Sequence, residues 1–450
     1  MQACIEEAAP DGRLAESLLS YDIRPLTPAE LSAAGKLLVS VFDDDPWLRW
    51  VYRTADQRRL LLELNLMSYL RMYATTDSER TSNVLGTWMG DSLVSLCFYV
   101  EPAARANEEA AANFFESIKR ACSSLPNDEA DSVYQRFLYI EKDCFGGPVM
   151  NFRDDCYYLF LLACHPGHRR HGLGSLHVRR LMDLAFSRGF GVYLDTFNDD
   201  INDHGAFYSK FGFCLLRRSA LPGQELYPDL NNEHASGQLR SRVVNDTLIA
   251  WPTLQSRIDN ALVSVATPLP VAHTDSSAIT SIGELRNSVW RGEGPFQCEP
   301  GCWTDEYDSL PSCYHWAILD GSVSEAYQIV ASARLTYHTG ADDHRDIKIF
   351  KDYGERSGKP LLFPVADLGR LVVAAPFRCR GYAQQLNRVR IQAAKDLGCA
   401  SVVVTASEKN AKLLRHMGFV QLVRDDNSQV TVVFDDRPTT IFYALVYVFS

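Results

Sequence analysis

The sequence predicts an α/β protein of two similar halves in one chain, with strands and helices alternating in each. Three observations carry this. At 450 residues the chain is longer than one ordinary domain of about 150 residues. An apolar run, a basic glycine-containing loop and an amphipathic stretch follow one another in "LLACHPGHRRHGLGSLHVRRLMDLAF", Leu161 to Phe186, and the same order returns in "LGRLVVAAPFRCRGYAQQLNRVRIQAA", Leu368 to Ala394. Gly172 and Gly381 lie 209 positions apart, and Phe213 and Phe419 lie 206 apart, so two landmarks keep nearly one offset, as a duplication requires.

Residues 1–20 read as an N-terminal tail. The stretch "YDIRPLTPAELSAAGKLLVSVF" then reads as strand, turn and helix, with Thr27 as N-cap and Pro28 in the first turn. A second helical pattern covers Gln57 to Tyr73, and "NVLGTWMGDSLVSLCFYV" is a hairpin turning at Gly90-Asp91. Residues 103–152 form a polar, acidic, helical insertion of a length that more often covers a site than fills space. The strand "CYYLFLLAC", the quoted loop and helix, the strand "GVYLDTF", a helix around "HGAFYSKFGF" and a strand from Phe213 follow. With "LIAWPTL" as a closing strand they complete a first domain, 21–254. Residues 255–277, with two prolines and scattered small residues, read as a linker. The second domain, 278–450, repeats the order: helix "ELRNSVW", strands "YHWAILDG", "QIVASARLTYH" and "GRLVV", loop, helix, strand "SVVVTAS", helix "KNAKLLRHMGF" and final strands.

Composition bounds the function. With 46% hydrophobic and 22% charged residues the chain is that of a soluble globular protein with a core in each half. No run of eighteen apolar residues occurs, and "MQACIEEAAPDGR" is acidic where a secretion signal is basic and then apolar. The expectation is a cytoplasmic protein with no membrane partner. A net charge of −11 argues against a general nucleic-acid binder, which needs a basic face, and suits a cationic substrate. The twelve cysteines read as reduced thiols, with Cys97, Cys164 and Cys214 in apolar strands. Cys298, Cys302, Cys313 and His315 match no common zinc spacing, and His165, His168 and His171 are three apart around Pro166-Gly167, where no regular helix brings them onto one face. No metal is expected.

The repeated loops are Arg169-Arg170-His171-Gly172-Leu173-Gly174 and Arg378-Cys379-Arg380-Gly381-Tyr382-Ala383, each of the form R-x-x-G-x-[G/A]. Glycine lets backbone N–H groups turn toward an anion without a side chain in the way, and the following helix adds its positive end, which together make a diphosphate cradle. The helices are amphipathic, with Val178, Leu181, Met182 and Ala185 on one face of the first and Ala383, Leu386, Val389, Ala393 and Leu397 on one face of the second. The third glycine and later acidic residue of the dinucleotide fingerprint are missing. Downstream, Gly212 of "AFYSKFGF" lies 40 residues beyond Gly172, and Gly418 of "LLRHMGF" lies 37 beyond Gly381.

On these residues the chain resembles the GNAT superfamily of acyl-CoA-dependent N-acyltransferases, twice over. The resemblance rests on the P-x-x-R-x-x-G-x-G arrangement Pro166 to Gly174, its counterpart Pro376 to Ala383, and Y-x-K-x-G-F at Tyr208 to Phe213. It implies two tandem domains, each a mixed sheet flanked by helices and splayed between its fourth and fifth strands, with an acyl thioester in the gap. By matched position it implies that Arg169, Arg170, His171, Gly172, Leu173, Gly174 and Ser175 hold the pyrophosphate of coenzyme A in the first copy, and Arg378, Arg380, Gly381, Tyr382 and Ala383 in the second. The pantetheine arm would run along Leu162, Ala163 and Cys164, or along Val372 and Val373.

The chemistry asks for three groups. A primary amine, protonated with a pKa near 10, must lose a proton before attack; the oxyanion needs a donor; and the departing thiolate needs an acid. The resemblance puts Tyr208 at the acid position; the plainer reading is a helix tyrosine packed beside Phe207, Phe211 and Phe213. Glu141, Asp154, Asp155 and Asp195 are candidates for the base, with Glu141 and Asp155 put forward as catalytic, and each is also readable as a surface or turn carboxylate. In the second copy Leu414 stands opposite Tyr208, so that copy lacks the phenol, though Asp367 precedes its loop strand. The resulting expectation is transfer of acetyl from acetyl-CoA to a primary amine of a small molecule, by the first domain. The alternatives are a protein amine as acceptor, or a non-catalytic acyl-CoA-binding sensor or scaffold. The sequence says nothing about oligomeric state.

Overall fold

The computed structural model describes residues 21–43, 45–73, 83–102, 108–140, 155–198, 205–220, 244–260, 266–292, 301–320, 327–340, 347, 350–352, 361–422, 431–434 and 437–449. The chain divides into two units: residues 1–211 with 219–249, and residues 212–218 with 250–450. Each contains a mixed sheet flanked by helices.

In the first unit β1 (Asp22–Pro25), β2 (Val84–Met89), β3 (Ser92–Val100), β4 (Cys156–Cys164), β5 (Gly191–Asn198) and β7 (Val244–Ala250) form the spatial order β1-β2-β3-β4-β5-β7; the intervening strand β6 (Cys214–Ala220) starts in the stretch that groups with the second unit. The β2–β3 hairpin turns at Gly90, whose φ of +58° explains the glycine there. Strand β4 is an unbroken apolar run, as expected of a central strand with both faces covered. Helices α1 (Leu31–Phe42), α2 (Pro46–Val51) and α3 (Ala55–Tyr73) separate β1 from β2. The segment read as an insertion contributes α4 (Glu108–Cys122) and α5 (Asn127–Tyr139), whose Ile118, Val133 and Phe137 are fully buried. Helix α6 (Leu173–Ser187) follows the loop and α7 (Gly205–Ser209) follows β5.

The second unit holds α8 (Leu254–Asp259), β8 (Pro268–Val271), α9 (Ser276–Gly292), β9 (Cys313–Asp320), β10 (Gln328–His338), β11 (Val365–Val373), α10 (Tyr382–Asp396), β12 (Ser401–Ala406), α11 (Glu408–His416), β13 (Val420–Gln421), β14 (Thr431–Phe434) and β15 (Arg437–Val448). Its sheet runs β8-β9-β10-β11-β12-β15-β13, with β14 on β15. In both sheets the fourth and fifth strands are parallel and their neighbours toward the first strand antiparallel. The duplication is residue for residue at its centre: β4, the 3-10 turn Pro166–His168 and α6 recur as β11, Ala375–Phe377 and α10, each displaced by 209 at both ends.

Four expectations change. Residues 255–277 are no linker: α8 and β8 lie there, Leu254, Leu269 and Val271 are buried in the second unit's core, and β8 pairs with β9, because the prolines sit on an edge strand that tolerates them. The first domain's boundary moves likewise, since 212–218 and 250–254 group with the second unit. At the start of α1, Thr27 does not cap; Glu30 instead accepts the Thr27 N–H and hydroxyl, both at 2.8 Å, and pairs with Arg24 at 2.6 Å. In α10 the buried face carries Asn387 and Arg390 beside Leu386, while Ala383, Val389 and Ala393 are only half-buried, because Arg390 has backbone acceptors waiting in the sheet. Among the described residues no helix is long and apolar enough to cross a membrane, and no three His, Cys, Asp or Glu side chains are placed to hold a metal. Cys298 lies outside the described residues; Cys313 contacts Thr336 and His315 bonds the Asp308 carbonyl.

Candidate active site

Strands β4 and β5 pair only from Cys156 opposite Gly191 to Leu159 opposite Leu194. Beyond that point the backbone of Phe160 to Cys164 has no β5 partner, while its other edge stays paired with β3. A bulge at Phe160, where Phe98 faces Leu161 and Tyr99 faces Leu159, bends the strand as it leaves its neighbour. The result is a wedge with main-chain donors and acceptors on one wall. In the second unit β11 and β12 pair only from Val365 to Asp367, and a bulge lies between Gly369 and Val372.

Each wedge ends in the glycine loop. Arg170 and Cys379 have φ of 65° and 63°, and the helix N-caps Gly172 and Gly381 have 80° and 81°. Neither glycine can cap with a side chain, and the first intrahelical bonds there are Leu176 to Gly172 and Gln385 to Gly381, so the N–H groups of Leu173, Gly174 and Ser175, or of Tyr382, Ala383 and Gln384, have no helical acceptor. A Cβ on Gly172 or Gly381 would meet nothing within 4 Å. Open space in front of three amides at a helix's positive end fits a diphosphate. Arg169 and Arg378 are exposed and tethered alike, each Nε donating to the last carbonyl of the preceding strand, Cys164 at 3.4 Å and Val373 at 3.2 Å. Arg170 and Arg380 are exposed, the latter stacked 4.9 Å over Phe377; His171, Ser175, Leu162, Cys164, Val373 and Ala383 are half-buried. Ala163 and Val372 are buried in their strands, and the Ala163 carbonyl accepts from Ser95 at 2.7 Å. Leu173 and Tyr382 offer their amides only, since both side chains are packed into the core.

Tyr208 is brought to this wedge by packing. The position of a Cβ on Gly174 lies 3.5 Å from the Phe207 ring and 3.9 Å from Leu162, so the glycine lets α7 approach the start of α6. The rings of Phe207 and Tyr208 meet edge to face at 5.0 Å. Tyr208 is half-buried by surface area, and its desolvation, with the Cys97 sulfur and the Asp45 carboxylate adding, holds the phenol above its usual range. Cys97 faces Leu162 across the β3–β4 ladder, which locates Tyr208 beside the predicted pantetheine strand. Asp45 was not among the sequence candidates. It is the N-cap of α2, accepting the Trp47 N–H at 3.1 Å, and Trp47 lies 5.9 Å from Phe197 of β5. The Asp-Pro-Trp signature of an N-cap was readable; that the cap stands near a tyrosine 163 positions later was not.

The carboxylates put forward fare differently. Asp155 precedes the first residue of β4, and its carbonyl accepts from Gly191, so about 30 Å of strand at ~3.3 Å per residue separates it from the loop. That removes it from the site: the wedge opens at the other end of the strand. Glu141 and Asp154 lie outside the described residues. Asp195 is at the point where β5 parts from β4, but its carboxylate oxygens already accept from Tyr158 at 3.1 Å, Thr247 at 2.5 Å and Asn245 at 3.4 Å. Leu414 of the second unit is fully buried in the core, as its place opposite Tyr208 demands of an apolar residue, and His416 is exposed on the last turn of its helix.

Residues 103–213 match the family model described as acetyltransferase (GNAT) family. The chain therefore carries a GNAT acyltransferase domain, and the matched span begins in the segment read from sequence as an insertion. Similar solved structures include the mosquito arylalkylamine N-acetyltransferase-like 5b, 16% identical with a TM-score of 0.31 over 52% of this chain and 100% of that one. The arylalkylamine N-acetyltransferase 2 of Aedes aegypti is 15% identical, TM-score 0.33, covering 51% and 98%. The polyamine N-acetyltransferase of Drosophila melanogaster is 13% identical, TM-score 0.29, covering 51% and 99%. No curated protein sequence matches the chain.

Proposed function

We propose that the chain is a cytoplasmic tandem acyl-CoA-dependent N-acyltransferase whose first unit transfers an acetyl group to a primary amine of a cationic, partly apolar small molecule. The observation that carries this is the half-unpaired β4, which runs into a glycine-capped helix start with Tyr208 beside it. The donor's diphosphate rests on the amides of Leu173, Gly174 and Ser175, and the free edge of β4 takes its arm. Asp45, which acts on the Tyr208 phenol, attracts the ammonium and accepts its proton, directly or through water. A backbone N–H of β4 near the Phe160 bulge stabilises the oxyanion, and Tyr208, kept protonated by its burial, gives its proton to the leaving sulfur. All nine described cysteines are free, in keeping with a reducing compartment.

The second unit has the same wedge and loop but Leu414 in place of the phenol, and we assign it a donor-binding role without turnover. The test is release of free thiol from acetyl-CoA across a panel of amines, with the acylated product identified by mass. Amine-dependent release is expected. Thioester binding without release for any amine would leave a sensor or scaffold, and acetylation of added protein alone would move the acceptor from small molecules to proteins.

A further inference from the structure

In the second unit a cluster of charges joins α9, the 3-10 turn Glu306–Ser309, β10 and β11. Arg286 of α9 bonds Asp308 at 2.8 Å with no solvent exposure of its side chain. Arg334 of β10 bonds Asp308 at 3.0 Å and Asp305 at 2.5 Å. Arg370 of β11 donates to Asp305 through Nε at 3.2 Å and Nη2 at 2.7 Å, and its guanidinium lies 4.0 Å over Trp303. His315 bonds the Asp308 carbonyl and burial drives it down to about 3, so it is neutral at ordinary pH. Three guanidiniums thus meet two carboxylates. The nearby Arg390 does not alter that count, because Asp367 answers its charge.

An isolated structural staple favours balanced charge, since an uncompensated cation in a poorly solvated place is costly. Among the described residues this one is left with an excess cation and with donors to spare: Arg286 Nε and Nη2 and Arg334 Nε are buried with no hydrogen-bond partner among those residues. The excess is also placed where a ligand can meet it. Arg370 stands in the half of β11 that has no β12 partner, at the bulge, with φ of +57°, and its side chain is 26% exposed. It uses two of its three nitrogens on Asp305, which leaves Nη1 for another acceptor. A cavity of about 360 Å³ lined by Tyr307, Leu310, Ser312, Tyr337, His338 and Thr339 lies toward the Val365 end of β11, the Tyr307 ring being 5.8 Å from the Arg334 guanidinium.

We infer that the second unit binds a ligand bearing a carboxylate, seated on Arg370 at the β11 bulge with Arg334 and Arg286 behind it. The carboxylate is either the end of the acyl chain on coenzyme A or that of a separate small acid. The inference rests on the reading that this unit's cradle takes a coenzyme A thioester, and the arms of the test separate the two.

The full chain carrying Gly172→Asp, which silences the first cradle, is titrated calorimetrically with succinyl-CoA, acetyl-CoA and free succinate. Succinyl-CoA is expected to bind at least tenfold more tightly than acetyl-CoA, and Arg370→Gln to remove that preference while leaving acetyl-CoA affinity in place. Arg370→Lys, which keeps the charge without the fork, retains part of it. Binding of free succinate, lost in Arg370→Gln, supports the separate acid as the source. Equal affinities for the two thioesters together with no succinate binding would overturn the inference, as would a preference unchanged in Arg370→Gln. If acetyl-CoA fails to bind and Gly381→Asp changes nothing, the cradle reading falls alone and the succinate arm still decides the carboxylate site.

Discussion

Tyr208 and Asp45 show how little of a residue's chemistry belongs to the residue. A tyrosine in water titrates near 10; here burial and two neighbouring groups keep the phenol protonated well beyond that. Replacing it with phenylalanine removes one hydroxyl and leaves the ring against Phe207, so turnover should fall about 10²-fold or more with little change in KM for the thioester. Steady-state kinetics decide it: turnover within a factor of two of the parent makes Tyr208 a packing residue. The sign of the shift adds a second reading. Because the acid form persists above pH 10, kcat should show no falling limb near pH 10 that belongs to Tyr208. A limb there that disappears in Tyr208→Phe would contradict the assignment. For Asp45 the informative change is Asp45→Asn, since asparagine caps a helix as well as aspartate and so preserves the bond to Trp47. We expect kcat/KM for the amine to drop by about 10- to 10²-fold, with thioester affinity unchanged in a binding titration.

At the scale of elements, the repeated strand, loop and helix is a ligand site made mostly of backbone, which is why its two copies share so little sequence and so much conformation. Gly172 and Gly381 sit at φ near +80° with empty space ahead. Asparagine tolerates that conformation, and aspartate matches it in shape, so the comparison of Gly172→Asn with Gly172→Asp isolates charge from strain. The aspartate variant should bind acetyl-CoA at the first site weaker by roughly another tenfold or more, by Coulomb repulsion of the diphosphate. Turnover should nearly vanish in Gly172→Asp and largely survive in Gly381→Asp. The reverse pattern in the same thiol-release assay would exchange the roles of the two units. The bulge of β11 is held by an element the sequence hides: Arg390 donates at 2.9 Å to the carbonyls of both Arg334 and Gly369, and also to Asn387. Deep burial pushes its guanidinium down to about 9, opposed by Asp367. A pattern of apolar positions assigns such an arginine to the solvent face, and the error comes from treating the helix apart from the sheet carbonyls it covers.

For the molecule as a whole, each unit buries a neutral histidine. His177 is 1% exposed, bonded to Thr87 at 2.9 Å, and burial takes it down to about 4; His315 falls to about 3. Their folded values lie below the unfolded value of about 6.5, so the unfolded chain binds more protons as pH falls, and stability, complete above that value, is lost on the way down. From pH 7 to pH 5 each unit should lose on the order of 2 kcal/mol through its histidine. Urea unfolding at the two pH values measures this, and His177→Gln should flatten the dependence of the first unit. Asp308 adds to the loss in the second unit at lower pH. Burial alone would raise its carboxyl, but Arg286 and Arg334 outweigh that and hold it far below the usual range, so its contribution goes only as pH drops below about 4.

The sequence by itself determined the repeated order of strand, loop and helix, the 209-residue offset and both glycine loops. These are local: a strand shows its apolar run, a helix its period and a positive-φ turn its glycine within a few neighbouring residues. The tertiary structure alone decided that 255–277 belongs to a core, that Asp155 stands at the far end of its strand, and that Asp45 keeps company with Tyr208. It also decided that Arg286, Asp308, Arg334 and Arg370 form one cluster. Such facts depend on which distant groups the sheets bring within a few ångströms of each other. Charge and burial act through space, and spacing along the chain does not carry that distance.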